Sequence, residues 1–500
     1  MSIPRTPQDL ETYITRGTLD QSLQRLYPDD ETAGQRRRYA DLVSRHRDRF
    51  GAAGEIRLFS TPGRTEIGGN HTDHNHGRVL AGSVTLDAVA AVTPLGTGDL
   101  RCILTSTTLN REYHLDLGNL DPQRAEEGTT EALIRGTAAW FSNQNLNLGG
   151  FYATVDSRVL PGSGLSSSAC IEVLLATILD RLYNAGKLGA VGRALCGRFA
   201  ENRFFGKPSG LMDQLACSLG GLAMLDFADP QNPGIQGLEV DFNALGYQLC
   251  IVDTQSDHSA GTADYAAIPR EMKLVAQALG REVLGQIDPR DFWTALPDLR
   301  TRLPGRALCR AGHFFQENQR VTRMFQSLAG DAPGINRPGT GTVFRGGTDA
   351  AAGADGISGG TSATPRGAAE EPEFPMAPPP SKEGQETGLG ESTHVRKPNI
   401  EAFLALVRES GHSSFEYLQN VVDQRENQDY ALALLLTSQP PWENRVVSRV
   451  HGGGFGGTIQ AYVPRDLWPD FQIRMEAGIG PGAVHPLTIR NLPSLELDEV

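Results

Sequence analysis

Apolar and polar positions change period several times along the chain, and the changes mark its elements. Residues 8–50 are polar, with Arg, Leu and Tyr at helical spacing, and predict two short helices. From Ile56 the pattern turns to strand, IRLFSTPGR. A longer β-branched run, Val79 to Val92, follows, with further strand near Arg101–Ser106 and Phe151–Val155. Ile171, Leu174, Leu175, Ile178, Leu179 and Leu182 then recur at i, i+3, i+4, i+7, i+8 and i+11, which predicts an amphipathic helix over 170–184. A second helix is expected over about 188–205, stopped by Gly206-Lys207-Pro208. Strands are expected at Ala223–Phe227 and Gln248–Val252. A largely helical remainder follows, up to strands at Val446–Val450 and Thr458–Val463 around a glycine-rich loop.

The periodicity disappears over 331–397, a stretch dense in Gly, Pro, Ala, Ser and Thr that contains a PPP run. Such a segment buries too little apolar surface to offset its ordering entropy, so disorder is expected. It interrupts two helical stretches, HFFQENQRVTRMF and IEAFLALVRES, which a short loop could otherwise join. Because loop-closure cost grows only logarithmically, the insertion costs roughly 2 kcal/mol.

Length and charge narrow the class. Five hundred residues exceed what one core usually holds, so two domains are expected. The expected fold class is α+β: an N-terminal helical segment 1–50, a first domain 51–234, and a second domain 235–500 that carries the insertion. A net charge of −13 argues against nucleic-acid or anionic-membrane partners, and obliges an anionic substrate to find a local site. The six cysteines are scattered and form no C-x-x-C pair, which reads as buried free thiols in a reducing compartment. The opening MSIPRTPQDLETYI lacks the order of an export leader, and no stretch approaches the ~18 uninterrupted apolar residues of a membrane span. A cytoplasmic location is therefore expected.

Three segments carry candidate chemistry: GRTEIGGNHTDHNHG at 63–77, LPGSGLSSSA at 160–169 and GGGFGG at 452–457. The second sits directly before the 170–184 helix. There, backbone N–H groups and the positive end of the helix dipole can hold a polyphosphate, and Ser166, Ser167 and Ser168 add hydroxyls. Taken alone it reads first as a linker ending in a serine cap. No G-x-x-x-x-G-K-[ST] occurs, so the chain is not a P-loop NTPase. The HTDHNH run also admits a histidine–carboxylate metal centre, although it lacks the i, i+4 pair of a helical zinc site.

In order and spacing, these three segments resemble the signature motifs of the galactokinase family of GHMP kinases, over about residues 50–465. The resemblance implies a two-domain architecture of mixed sheets and helices with the active site in the cleft between the domains. It implies transfer of the ATP γ-phosphoryl group to the C1 hydroxyl of a galactose-like sugar. By the same resemblance Gly162, Ser163, Gly164, Leu165, Ser166, Ser167 and Ser168 contact ATP, and Ser168 with Glu201 holds Mg²⁺. ENRFFGKPSGLMDQ at 201–214 also matches, which makes Asp213 the base and Arg64 its electrostatic partner. Asn70, His71, Thr72 and Asp73 match the sugar clamp, and Tyr265 a tyrosine beside the sugar. The family reads G-E-H-T-D-Y where this chain has Gly-Asn-His-Thr-Asp-His, so an amide replaces the acid expected at the C6 hydroxyl. Galacturonate or arabinose therefore stay open beside galactose, as does a non-catalytic sugar and ATP sensor.

Overall fold

The computed structural model describes residues 3–28, 32–52, 54–159, 164–254, 262–330, 397–421, 428–442, 444–455 and 457–500. The first segment forms three helices where the pattern predicted two: α1 (Pro7–Thr15), α2 (Asp20–Leu26) and α3 (Thr32–Phe50). The first of these starts at Thr6, whose hydroxyl accepts from the Asp9 N–H, with proline at the first helical position. Leu10, Ile14, Leu23, Tyr39 and Val43 form the stripe that packs on one face of the first sheet, against Leu58, Val89 and Ala91.

That sheet contains β1 (Arg57–Gly68), β2 (Arg78–Gly96), β3 (Arg101–Ser106), β4 (Arg111–Asp116), β5 (Gly150–Ser157), β6 (Leu222–Asp226) and β7 (Gly234–Leu238). The long β2 carries β1 along one edge. Its other edge pairs with β6 through residues 78–82 and with β5 through residues 88–96. Only the β3–β5 pairing is parallel among the described strands of this sheet. The inner face is covered by α4 (Thr130–Asn143), α5 (Ser167–Tyr183), α6 (Gly189–Ala200) and α7 (Met212–Leu219). Leu174, Leu175, Ile178 and Leu179 of α5 meet Phe59, Ala90 and Val92 in the main core, as the periodicity required.

The second sheet is antiparallel, in the order β11 (Val484–Leu487), β8 (Tyr247–Asp253), β10 (Thr458–Pro464), β9 (Val447–Val450). Around it lie α8 (Thr262–Ala278), α9 (Pro289–Arg302), α10 (Gly305–Ala329), α11 (Ile400–Ser413), α12 (Asp429–Thr437) and α13 (Trp468–Ile479). The expected insertion falls almost wholly on 331–396, outside the described residues. Its flanks meet: the Asn399 N–H donates to the Ser327 carbonyl at 2.7 Å, and α10 packs along α11.

The division between the two sheets is not a single cut near residue 235. β7 extends the first sheet to Leu238, and β12 (Leu495–Glu496) returns from the far end of the chain to pair with β1 at Phe59 and Ser60. The return is fastened at Asp87, a fully buried carboxylate on β2. It accepts from Arg38 at 2.7 Å, Tyr27 at 2.6 Å, Ser60 at 2.5 Å and Arg490 at 3.2 Å. Burial alone would raise its pKa, but the two guanidiniums outweigh that and hold it below the ordinary value. Three distant stretches of chain thus converge on one charge.

Candidate active site

The site lies where the end of β1, the loop after it, the start of α5 and the start of α7 meet the glycine-rich loop of the second sheet. Locally, β1 shifts register between Glu66 and Gly68, and the chain turns at Gly69, φ +97°. A side chain at Gly69 would run into the Arg78 carbonyl and Val79 at 2.6 Å, so the turn requires glycine. The turn carries His71, Asp73 and His74 to the wall of a cleft also lined by Arg64, Asp213 and Tyr265.

Arg64 and Asp213, 149 positions apart, come together as an ion pair. Arg64 Nε donates to Asp213 Oδ1 at 2.7 Å, and another guanidinium nitrogen bonds the Gly164 carbonyl. Ser166 donates its hydroxyl to Asp213 Oδ2. Asp213 is in the first turn of α7. Burial would raise its pKa; Arg64 first, then Lys207 and Ser166, reverse this and hold the carboxyl at about 2. It is ionised at any working pH.

In the segment before α5, Gly162 and Ser163 lie outside the described residues. Gly164 packs beneath Thr458 and His451, with no room for a side chain. The Leu165 side chain is buried in the core, and its carbonyl accepts from the Arg64 N–H at 3.3 Å, which leaves only its N–H to meet a ligand. Ser166 caps α5 in the left-handed region, φ 57°, and is followed by Ser167 and Ser168 in the first turn. Glu201 follows α6 at the start of a π-helical turn, Glu201–Phe205.

Ser168 and Glu201 meet: the hydroxyl donates to Glu201 Oε1 at 2.9 Å, and Lys207 Nζ lies 3.0 Å from the same oxygen. Gln214 bridges Glu201 Oε2 at 2.8 Å and Glu172 Oε2 at 2.9 Å. Burial, reinforced by the neighbouring Glu201, raises the Glu172 carboxyl well above its ordinary range. One carboxylate and one hydroxyl side by side are hard oxygen donors suited to Mg²⁺ completed by phosphate oxygens, so the residues present fit that ion. Among the described residues no group of three His, Cys, Asp or Glu converges as a metal cage. His71 instead donates from Nε2 to the Gly453 carbonyl at 2.8 Å, and burial lowers its pKa to about 3.

The expected sugar clamp divides. His71 and Asp73 line the cleft, and Tyr265 stands edge-on to His71 with ring centroids 5.0 Å apart. Asn70 and Thr72 do not: both are fully buried with their polar groups spent inside the protein. Thr72 donates to the Gly69 and Arg78 carbonyls. The Asn70 amide donates to Glu66 Oε1 at 2.9 Å and to the Gly452 carbonyl, while its oxygen accepts from Asn420 at 2.6 Å. Asn70 and Thr72, expected in the sugar clamp, thus have their polar groups bonded within the protein.

Two charged cleft residues, Glu66 and Lys207, had no role in the sequence reading. Glu66 had a signal, since it follows Arg64 by the two-residue period of a strand. His451 also went unnoticed. It accepts the Glu66 N–H at Nε2 (3.2 Å), which leaves Nδ1 to donate to Thr458 at 2.8 Å, and burial keeps the ring neutral.

Residues 132–221 match the model of the GHMP kinases N terminal domain. The fold matches the solved galactokinase of Lactococcus lactis complexed with galactose, at TM-score 0.65 and 19% identity, covering 92% of this chain and 99% of that one. A mevalonate kinase structure matches at TM-score 0.52 and 13% identity, covering 87% and 99%. Fold and site together therefore define a GHMP-type kinase, an ATP-dependent phosphotransferase. More narrowly, residues 44–94 match the galactokinase galactose-binding signature. A galactokinase of Streptomyces coelicolor is 33% identical over 295 residues, 58% of this chain and 74% of the relative. That of Homo sapiens is 30% identical over 289 residues, 56% and 70%. The chain belongs to the galactokinase family.

Proposed function

We propose that the protein transfers the γ-phosphoryl group of ATP to the C1 hydroxyl of galactose, with Asp213 as the base. The observation that carries this reading is the ionised Asp213, clamped between Arg64 and Ser166 on the cleft wall, with Ser166 two residues before the Ser168 that pairs with Glu201. A carboxylate with a pKa near 2 is a weak base, so it takes the sugar proton late, as the oxygen bonds to phosphorus. That suits a loose phosphoryl-transfer transition state, in which positioning and electrostatics do most of the work. Arg64 keeps Asp213 charged until then and remains beside the developing charge.

The N-terminus of α5 and the backbone from Gly164 to Ser168 supply N–H donors for the phosphates. Ser168 and Glu201 would hold Mg²⁺, which when bound neutralises charge on the phosphate oxygens. Gln214 keeps the Glu201 carboxylate aimed, and Lys207 contributes a positive charge at the same edge. His71, Asp73 and Tyr265 line the sugar end. Among the described residues no helix is long and apolar enough to cross a membrane. Dependence on ATP suits a cytoplasmic enzyme.

ADP release with MgATP against D-galactose, D-galacturonate, L-arabinose, glucose and N-acetylgalactosamine tests the reading. Turnover with galactose above the rest is expected; a preference for another sugar, or no sugar-dependent release, would overturn it.

A further inference from the structure

The geometry points to Glu66 as the acidic sugar ligand of this protein, with Asn70 serving only to hold it. This rests on the galactose-kinase reading above and adds to it a specificity-determining residue. Glu66 is nearly fully buried yet lines the cleft. Its Oε1 is fixed from two sides, by Arg449 at 2.9 Å and by Asn70 Nδ2 at 2.9 Å. Its Oε2 accepts no hydrogen bond from any described residue. A buried acceptor with one oxygen clamped and the other turned to a cleft is arranged to receive a donor from outside the protein.

The placement along β1 fits a sugar. Arg64 and Glu66 are two residues apart and project from the same face of the strand, separated by about 7 Å. Arg64 holds Asp213, where the C1 hydroxyl must sit, so Glu66 lies about one hexose ring farther along the cleft. It would accept from a ring hydroxyl distant from C1. The acid missing at position 70 is thus supplied from four residues earlier, and its charge is set against a ligand with a carboxylate in that place. Asn70 cannot share the task, because its amide already bonds Glu66, Gly452 and Asn420.

The test is steady-state kinetics of the full-length Glu66→Gln variant with galactose, the 2-, 3-, 4- and 6-deoxygalactoses, and galacturonate as competitor. A hydrogen bond to a charged acceptor predicts a galactose KM raised about tenfold or more, with the KM for ATP within twofold of wild type. For one deoxygalactose the gap between wild type and variant should collapse, because that sugar lacks the donor Glu66 receives. Galacturonate should inhibit the variant more strongly than wild type.

A galactose KM within twofold of wild type would overturn the assignment, as would an equal gap for every deoxy sugar. If Glu66→Gln fails to fold because Arg449 is left buried without its partner, the Glu66→Gln/Arg449→Met double variant carries the same comparisons. Wild-type enzyme inert toward galactose would refute the functional reading itself. Wild-type turnover with an indifferent Glu66 variant would refute only the present inference.

Discussion

Replacing Asp213 by asparagine keeps the shape of the side chain and its contacts with Arg64 and Ser166 but removes the group that receives the proton. Positioned proton transfer contributes about 10²–10⁴-fold in rate, so kcat should fall by that factor, equivalent to about 3–5 kcal/mol in the barrier. The KM for galactose should change little. The same substitution also touches stability, because Asp213 is paired with a nearly buried guanidinium. Folding moves its pKa from the ordinary 3.8 to about 2, a displacement worth about 2 kcal/mol. Since the folded-state value is the lower one, the unfolded chain binds the extra proton. The stabilisation is therefore complete above about pH 4 and is lost only as pH falls towards 2. Between pH 5 and 8 the difference in melting temperature between wild type and variant should stay constant, and their kcat profiles should have the same shape. Coupled measurement of ADP release, with thermal melts across that pH range, checks both statements. A variant kcat within tenfold of wild type would refute Asp213 as the base. A melting difference that already shrinks between pH 7 and pH 5 would refute the ion pair as the source of its low pKa.

Ser168→Ala should raise the Mg²⁺ concentration needed for half-maximal activity by about tenfold and weaken Mn²⁺ binding in the presence of ATP, read by electron paramagnetic resonance; unchanged metal binding would remove Ser168 from the ion's ligands. Gly453→Ala should raise the galactose KM while leaving the ATP KM nearly unchanged, because a methyl group there meets the ring of Tyr265 on the cleft wall; a variant kinetically equal to wild type would show that this contact does not shape the sugar end.

The sequence revealed those parts of the molecule whose physics is local. The α5 stripe from Ile171 to Leu182 states its own period, and Gly164, Gly453 and Gly454 announce turns where backbone approaches another chain segment. Strand positions within two residues of the site also came through, because β-branched runs are short and bounded. The convergence of distant residues was not legible. Glu66 sits in a strand in which both faces are buried, so the alternation that would separate a cleft residue from a core residue is absent. Asn70 occupies a matched motif position, yet its partners Gly452 and Asn420 are more than 340 positions away in sequence. Its role as a strut is a fact of tertiary structure alone. The third helix near the start and the return of Leu495–Glu496 to the first sheet were missed for the same reason: their burial is decided by what arrives to cover them.

That return has a consequence for how the protein is made. Asp87 leaves the ribosome long before Arg490, the last of its partners, 403 positions later. At about 5–20 residues per second the wait is on the order of 20–80 s. Throughout it, the strand bearing Arg64 and Glu66 has an unpaired edge beside Phe59 and Ser60, and the buried carboxylate has only one of its two cations. The nascent chain can therefore assemble most of its first sheet early but can seal it only after the second sheet has been synthesised. Chaperone binding during translation should concentrate on that open edge, and a polypeptide released before residue 490 should be held in a protease-sensitive, inactive form.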